Sequence, residues 1–180
     1  MSRRHSFYTL PAGLVAMVLV SLAGVCPAGA QPRPADGVQA GQVASIRVEK
    51  ALRRLILLDA GGAVLRRYEG IQLGDAPVGH KQFEGDERTP EGRYLIDRGN
   101  PHSAYHLALH ISYPDAKDRA FADSHGRSPG GQIFIHGQPN WLDYGRIPGD
   151  WTDGCIAVSN EEIEDLWILV GDGTPIEIVP

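Results

Sequence analysis

From Val43 onward, apolar and polar residues alternate in short segments whose period predicts strands far more often than helices. Val43-Ala44-Ser45-Ile46-Arg47-Val48, Leu55-Ile56-Leu57-Leu58 and Val64-Leu65-Arg66-Arg67-Tyr68, with the turn Asp59-Ala60-Gly61-Gly62 before the third, predict a β-meander. Arg93 to Asp97 reads as a further strand, and His106 to Tyr113 alternates, with Leu107, Leu109 and Ile111 on one face. Ile133-Phe134-Ile135-His136 and Cys155-Ile156-Ala157-Val158 are short apolar strands. The 3.6-residue period is convincing only over Asn160 to Val170, where Ile163, Leu166, Trp167 and Val170 share a side. Ser159 and Glu162 form a capping box at its start, and Gly171 and Gly173 stop it before a last strand, Thr174 to Val179. The intervening stretches are Gly-, Pro- and charge-rich: Gly79 to Gly92, residues 114–131 with a helical turn around Asp115 to Ala122, and Gly137 to Asp150. The expected fold is mainly β, with one α-helix near the C-terminal side and long loops.

The first thirty residues follow another pattern. Arg3, Arg4 and His5 precede an apolar run from Leu14 to Val25, and Ala28-Gly29-Ala30 offers a small-residue cleavage site, so residues 1–30 read as a secretory signal peptide. The run is shorter than the about 20 apolar residues of a spanning helix, so no stable membrane span is expected after cleavage. Val25 before Cys26 argues against lipid attachment, because lipoprotein signals resemble one another in placing a small residue there. Residues 31–42, with Pro32, Pro34, Gly37 and Gly41, read as a flexible linker, and residues 43–180 as one domain. The leader implies export from the cytoplasm.

Composition narrows the function. A formal net charge of −5, from 17 Lys and Arg against 22 Asp and Glu, argues against a nucleic-acid partner. With two cysteines, Cys26 and Cys155, the chain lacks the sulfur for a disulfide scaffold or a four-cysteine zinc site. Loss of the leader removes two arginines and Cys26, which takes the charge from −5 to −7 and leaves Cys155 as a single thiol. His102, His106 and His110 lack metal-ligand spacing, and no metal or other cofactor is expected.

The candidate chemistry lies in His136-Gly137 and Thr152-Asp153-Gly154-Cys155. A histidine ending one strand and a cysteine starting another can meet if the loop between them folds back. An imidazolium beside the thiol would favour a thiolate nucleophile, with His136 handling the proton. Gly154 would let a carbonyl approach the backbone N–H groups of residues 153–155, a potential oxyanion site. The alternative, a buried structural cysteine and an unrelated histidine, stays open on spacing alone. Trp141, Tyr144 and Trp151 between the two motifs offer aromatic faces to a peptide or sugar, or simple loop packing, and Gly137 and His110 are further candidates for the cleft lining.

These two motifs, with Gly85-Asp86, Thr89-Pro90-Glu91-Gly92 and Tyr94 upstream, resemble the L,D-transpeptidase catalytic domain family of the YkuD type over about residues 43–179. The resemblance implies a β-sandwich or mixed-sheet fold. It also implies a cysteine enzyme acting on peptidoglycan stem peptides through a thioester, with Cys155 as nucleophile, His136 as base and acid, and Thr152, Asp153 and Gly154 in the oxyanion turn. The periplasm or cell-wall space as the destination of export is likewise what the resemblance implies. Two positions depart from the family pattern: Asp153 stands where histidine is common, and Ala157 where arginine is common. The run Cys155-Ile156-Ala157-Val158-Ser159-Asn160 resembles a subgroup with hydrolytic members that detach proteins from peptidoglycan. A transpeptidase, a hydrolase of peptidoglycan peptide or protein–peptidoglycan links, and a non-catalytic peptidoglycan-binding module therefore stand as alternatives, with a wall-linked protein as a further partner of the second.

Overall fold

A computed structural model describes residues 37–180; the expected leader and residues 31–36 of the linker lie outside the described residues. The strands are β1 (Ser45–Glu49), β2 (Arg54–Leu58), β3 (Val64–Glu69), β4 (Gly92–Ser103), β5 (His106–Ile111), β6 (Ile133–His136), β7 (Ile156–Ala157) and β8 (Pro175–Val179). They form one mixed sheet in the order β3-β2-β1-β8-β4-β5-β6-β7. The helices are α1 (Ala116–Ser124) and α2 (Asn160–Leu169). The mainly-β architecture matches the sequence pattern, and the helical turn expected near Asp115 extends to a full helix.

Alternation explains the first half of the sheet. In β1, Ile46 and Val48 are buried while Arg47 and Glu49 face outward. On that outer face Arg47 sits opposite Glu177 of β8 and binds it at 2.8 Å, and Arg93 of β4 reaches the same carboxylate at 3.0 Å. Strand β4 is long because it serves two ladders: Gly92 to Leu95 pair with β8, and Ile96 to Ser103 pair with β5 through two register shifts. Those bulges bend the strand and turn the sheet, so that the β5-β6-β7 half closes over the core with α2. Ile163, Leu166 and Leu169 of α2 bury against that half, joining Ile96, Ile111, Ile135 and Ile156. Val38, in the segment expected to be a tether, is buried in the same core.

Helix α1 has little apolar periodicity because polar contacts hold it. Asp115 caps its N-terminus in a capping box with Asp118. The buried Asp118 carboxylate accepts from the Tyr94 hydroxyl at 3.0 Å and meets His80 Nε2 at 3.1 Å, which ties α1 to the Gly79–Gly92 loop. The loop's ends are closed by Lys50, whose buried ammonium donates to Gly79 O, Thr89 O and Glu91 Oε1 at 2.6, 3.0 and 2.8 Å. Among the described residues no helix is long and apolar enough to cross a membrane.

Candidate active site

Strands β6 and β7 run parallel, with Ile135 beside Ile156 and His136 beside Ala157. Side chains alternate across a strand, so the two isoleucines enter the core, fully buried, and His136, Ala157 and Cys155 share the opposite face. His136 and Cys155 are therefore diagonal neighbours, as the fold-back of the loop predicts. Both line a cleft of about 1180 Å³, whose other walls are the β4–β5 hairpin tip, the Gly79–Gly92 loop and the Ser128–Gln132 segment.

The loop from Gln138 to Asp150 that joins these strands is held from below by polar side chains. Buried Gln138 donates to Val158 O at 2.8 Å and to Gln72 Oε1 at 3.1 Å, and accepts from Ile147 N at 3.0 Å. Asp150 pairs with Arg53 at 2.6 Å and accepts from Leu73 N at 2.8 Å. The chain is thus returned to the sheet where Trp151 and Thr152 begin the cysteine turn.

His136 Nδ1 lies 2.7 Å from Gly137 O. A carbonyl only accepts, so Nδ1 carries the proton and Nε2 keeps its lone pair, the tautomer a general base needs. The ring packs on Tyr105, centroids 4.6 Å apart, and meets Trp151 edge-on at 5.8 Å. Burial lowers its pKa to about 4, against the opposing pull of the Gly137 carbonyl.

Cys155 Sγ donates to Gln132 O at 3.6 Å. Burial in the cleft pushes the thiol up to about 11; the Phe134 backbone hydrogen bond and Lys81 act to lower it, and Asp153 adds to the rise. The resting pair is therefore a neutral thiol and a neutral imidazole, in place of the expected imidazolium-stabilised thiolate. The reason is desolvation, which disfavours the charged form of both groups. A nucleophile in such surroundings would ionise in the act of attack, by proton transfer to a neighbouring base, instead of being stored as a thiolate.

Thr152 staples the turn: its hydroxyl donates to Cys155 O at 2.8 Å and accepts from Gly154 N at 3.2 Å. That bond takes the Gly154 N–H, so the oxyanion donors on offer narrow from residues 153–155 to Asp153 and Cys155. Gly154 has φ of +125°, and a Cβ there would stand 2.5 Å from Arg88 O, so only glycine fits against the facing loop. Gly137 is similarly closed in, since a Cβ at that position would meet Asn160 Oδ1 at 2.6 Å, and its carbonyl is what orients His136.

Asp153 is exposed on the cleft rim, where it opposes thiolate formation. Ala157 is fully buried and bridged to Gln72 through both backbone groups at 2.8 Å. Trp151 lines the cleft. Trp141 and Tyr144 are exposed, 73% and 88%, and are not among the cleft-lining residues. His110 is also off the cleft wall, buried beside Phe134 and held by Asp97 at 2.6 Å. His106 pairs with Glu164 at 2.7 Å. Among the described residues no group of three or more His, Cys, Asp or Glu could hold a metal ion.

Sequence reasoning misses Tyr105, Gln132, Phe134 and Lys81, all on the cleft wall. Tyr105 sits at a hairpin tip and Gln132 in a Gly-rich loop, where no periodicity marks a residue. Lys81 falls in a stretch that reads only as an ordered loop.

Comparison with known proteins agrees with this geometry. The L,D-transpeptidase catalytic domain family, YkuD, matches residues 44–178. YafK of Escherichia coli K12, provisionally named an L,D-transpeptidase, is 34% identical over 95 residues, 52% of this chain and 32% of that protein. The helical cell shape determining protein Pgp2 of Campylobacter jejuni superposes with a TM-score of 0.61 at 29% identity, covering 76% of this chain and 47% of Pgp2. Bd1075 of Bdellovibrio bacteriovorus gives a TM-score of 0.53 at 25% identity, covering 79% of this chain and 51% of Bd1075. The chain thus spans about a third of the length of its curated relative and about half that of these structural neighbours. With a family match across nearly the whole described domain, and a His–Cys pair on one face of adjacent strands, the chain belongs to the L,D-transpeptidase catalytic domain family.

Proposed function

We propose that this chain is an exported cysteine acyltransferase that acts on peptidoglycan stem peptides through a thioester on Cys155. The observation that carries the reading is the arrangement of His136 and Cys155 on one face of the β6–β7 pair, with the His136 tautomer set by Gly137 O. His136 Nε2 takes the Cys155 thiol proton as sulfur attacks the carbonyl before the terminal D-residue. The N–H groups of Asp153 and Cys155 receive the oxyanion. His136 then returns the proton to the leaving amine, the C–N bond breaks, and the acyl group remains on sulfur. An acceptor amine resolves the thioester in a transpeptidase; His136 removes its proton and the thiol is regenerated. The chain's own residues supply every proton transfer in this sequence, and no step draws on a metal or organic cofactor.

Water in place of the amine makes the same site a hydrolase. The Cys155-Ile156-Ala157 run keeps that second reading in play, because Ala157 brings no guanidinium to the site. A peptidoglycan-binding module that merely kept the fold is disfavoured, since binding alone requires neither a nucleophile nor an oriented base.

A carbapenem offers Cys155 a strained carbonyl. Intact-mass spectrometry is expected to show one adduct on the wild type and none on Cys155→Ala; equal labelling of both, or none of the wild type, overturns the assignment. Incubation with purified muropeptides then separates the readings: dimers or exchanged terminal D-residues mark transfer, shortened peptides or released protein mark hydrolysis, and binding without turnover marks the module.

A further inference from the structure

Two lysines are buried in this domain, and their surroundings differ. Lys50, 2% exposed, directs all three of its N–H donors to Gly79 O, Thr89 O and Glu91 Oε1. It is a closed structural cation. Lys81, 3% exposed, donates to Asp86 Oδ1 at 2.8 Å and to Phe83 O at 3.2 Å, and no third acceptor for it exists among the described residues. An ammonium has three donors, and burying one with a donor unused is unfavourable unless something else arrives to use it.

Like Lys50, Lys81 has one carboxylate beside it, and that carboxylate has several other partners. Asp86 shares its carboxylate among Gln82 N, Phe83 N and Arg88 N at 2.7, 3.0 and 3.2 Å, in addition to Lys81. Lys81 lines the same cleft as Cys155 and His136 and, among the described residues, is the only lysine or arginine on its wall; Glu84, Glu87 and Asp153 lie on the exposed rim. Its field reaches the Cys155 sulfur. The cleft wall therefore includes one buried lysine, paired with Asp86, together with exposed carboxylates.

We propose that Lys81 is a specificity-determining residue that binds the free C-terminal carboxylate of the peptide whose terminal D-residue is released at Cys155. This rests on the reading above and deepens it by naming the group that meets the free carboxylate of the released residue. It also provides, from the loop wall, the positive charge that Ala157 does not provide from the strand wall.

The test compares a synthetic stem tetrapeptide ending in a D-residue with its C-terminal amide, using the wild type, Lys81→Met and Lys81→Arg. The wild type is expected to favour the free acid by about 10- to 100-fold in kcat/KM, the range of a charge-assisted hydrogen bond. Lys81→Met is expected to lose that preference, its rate falling further on the acid than on the amide, and Lys81→Arg to keep most of it. Equal turnover of acid and amide by the wild type overturns the inference and leaves the acyltransfer reading standing. No turnover of either peptide, with no Cys155 adduct from a carbapenem, overturns both. The wild-type comparison decides the matter even if Lys81→Met fails to fold, and a folded Lys81→Met that still prefers the acid also overturns the proposal.

Discussion

The two walls of the cleft are built by different physics. The strand wall, β6 and β7, places His136 and Cys155 through a backbone ladder backed by Ile135 and Ile156, both fully buried. The loop wall, Gly79 to Gly92, has almost no apolar anchor and is held by ions and hydrogen bonds: Lys50 at its ends, Asp86 across its turn, and Asp118 of α1 beneath. Packing fixes position without regard to pH, because methyl groups do not titrate. Polar anchoring gives directional charge together with sensitivity to protons. Under the proposed function the walls divide the labour, with the reacting atoms on the rigid, apolar-backed wall and the recognising charge on the polar one.

The walls meet at Gly154 and Arg88 O, and that contact offers the largest effect. Gly154→Ala inserts a Cβ 2.5 Å from a carbonyl, at a φ of +125° that alanine rarely adopts. A loss of about 3 kcal/mol or more and near-complete loss of activity are expected from chemical denaturation and muropeptide turnover. A stable, active variant would show that the walls are not in fixed register.

Acid comes next, and it acts on the strand wall through His136, the buried base that this wall carries. His136 is held down to about 4 in the fold against an ordinary value near 6.5, so between these pH values the unfolded chain binds more protons. Stability is therefore expected to rise with pH across that window, by about 3 kcal/mol for His136, and to level off above it. His110 is also lowered by burial and adds in the same direction. Cys155, raised to about 11, removes stability in the opposite direction as pH climbs past about 9. Denaturant midpoints from pH 4 to 7 check this, and His136→Gln should flatten the acid slope.

Ile156→Val probes the strand wall alone. A loss of about 1 kcal/mol, equal at pH 5 and pH 8, is expected from the removed methylene. A pH-dependent loss would mean that packing and titration are coupled at β7.

The smallest effect belongs to the rim. Asp153→Asn removes a carboxylate that opposes the Cys155 thiolate, so alkylation of Cys155 by iodoacetamide at pH 8 should quicken by a few-fold while stability stays within about 0.5 kcal/mol. Slower alkylation would assign Asp153 a different part in the turn.

Legibility of the molecule in its sequence follows the same division. Strands β1, β2, β3, β6 and β8 and helix α2 are readable within a residue or two, because β2 and β6 are short apolar runs and the others show a periodic apolar pattern. Strand β4 reads only as Arg93 to Asp97, because its second half, Arg98 to Ser103, is polar and owes its strand state to pairing with β5. Helix α1 reads as a single turn, because its anchor is the buried carboxylate of Asp118 and no apolar stripe announces it. His136 and Cys155 stand out through motif and resemblance, whereas Tyr105 and Gln132, on the same cleft, carry no local signature.

The sequence by itself determined the mainly-β class, the position of the C-terminal helix, and the pair of residues that carries the candidate chemistry. The first two follow from local periodicity, and the pair from its motif and the family resemblance that the motif carries. Only the tertiary structure decided that His136 and Cys155 rest in their neutral forms, that Thr152 occupies the Gly154 N–H, and that Lys81 enters the cleft with a donor unused. Desolvation and hydrogen-bond satisfaction depend on what surrounds an atom from every direction, and those neighbours lie up to dozens of residues away along the chain.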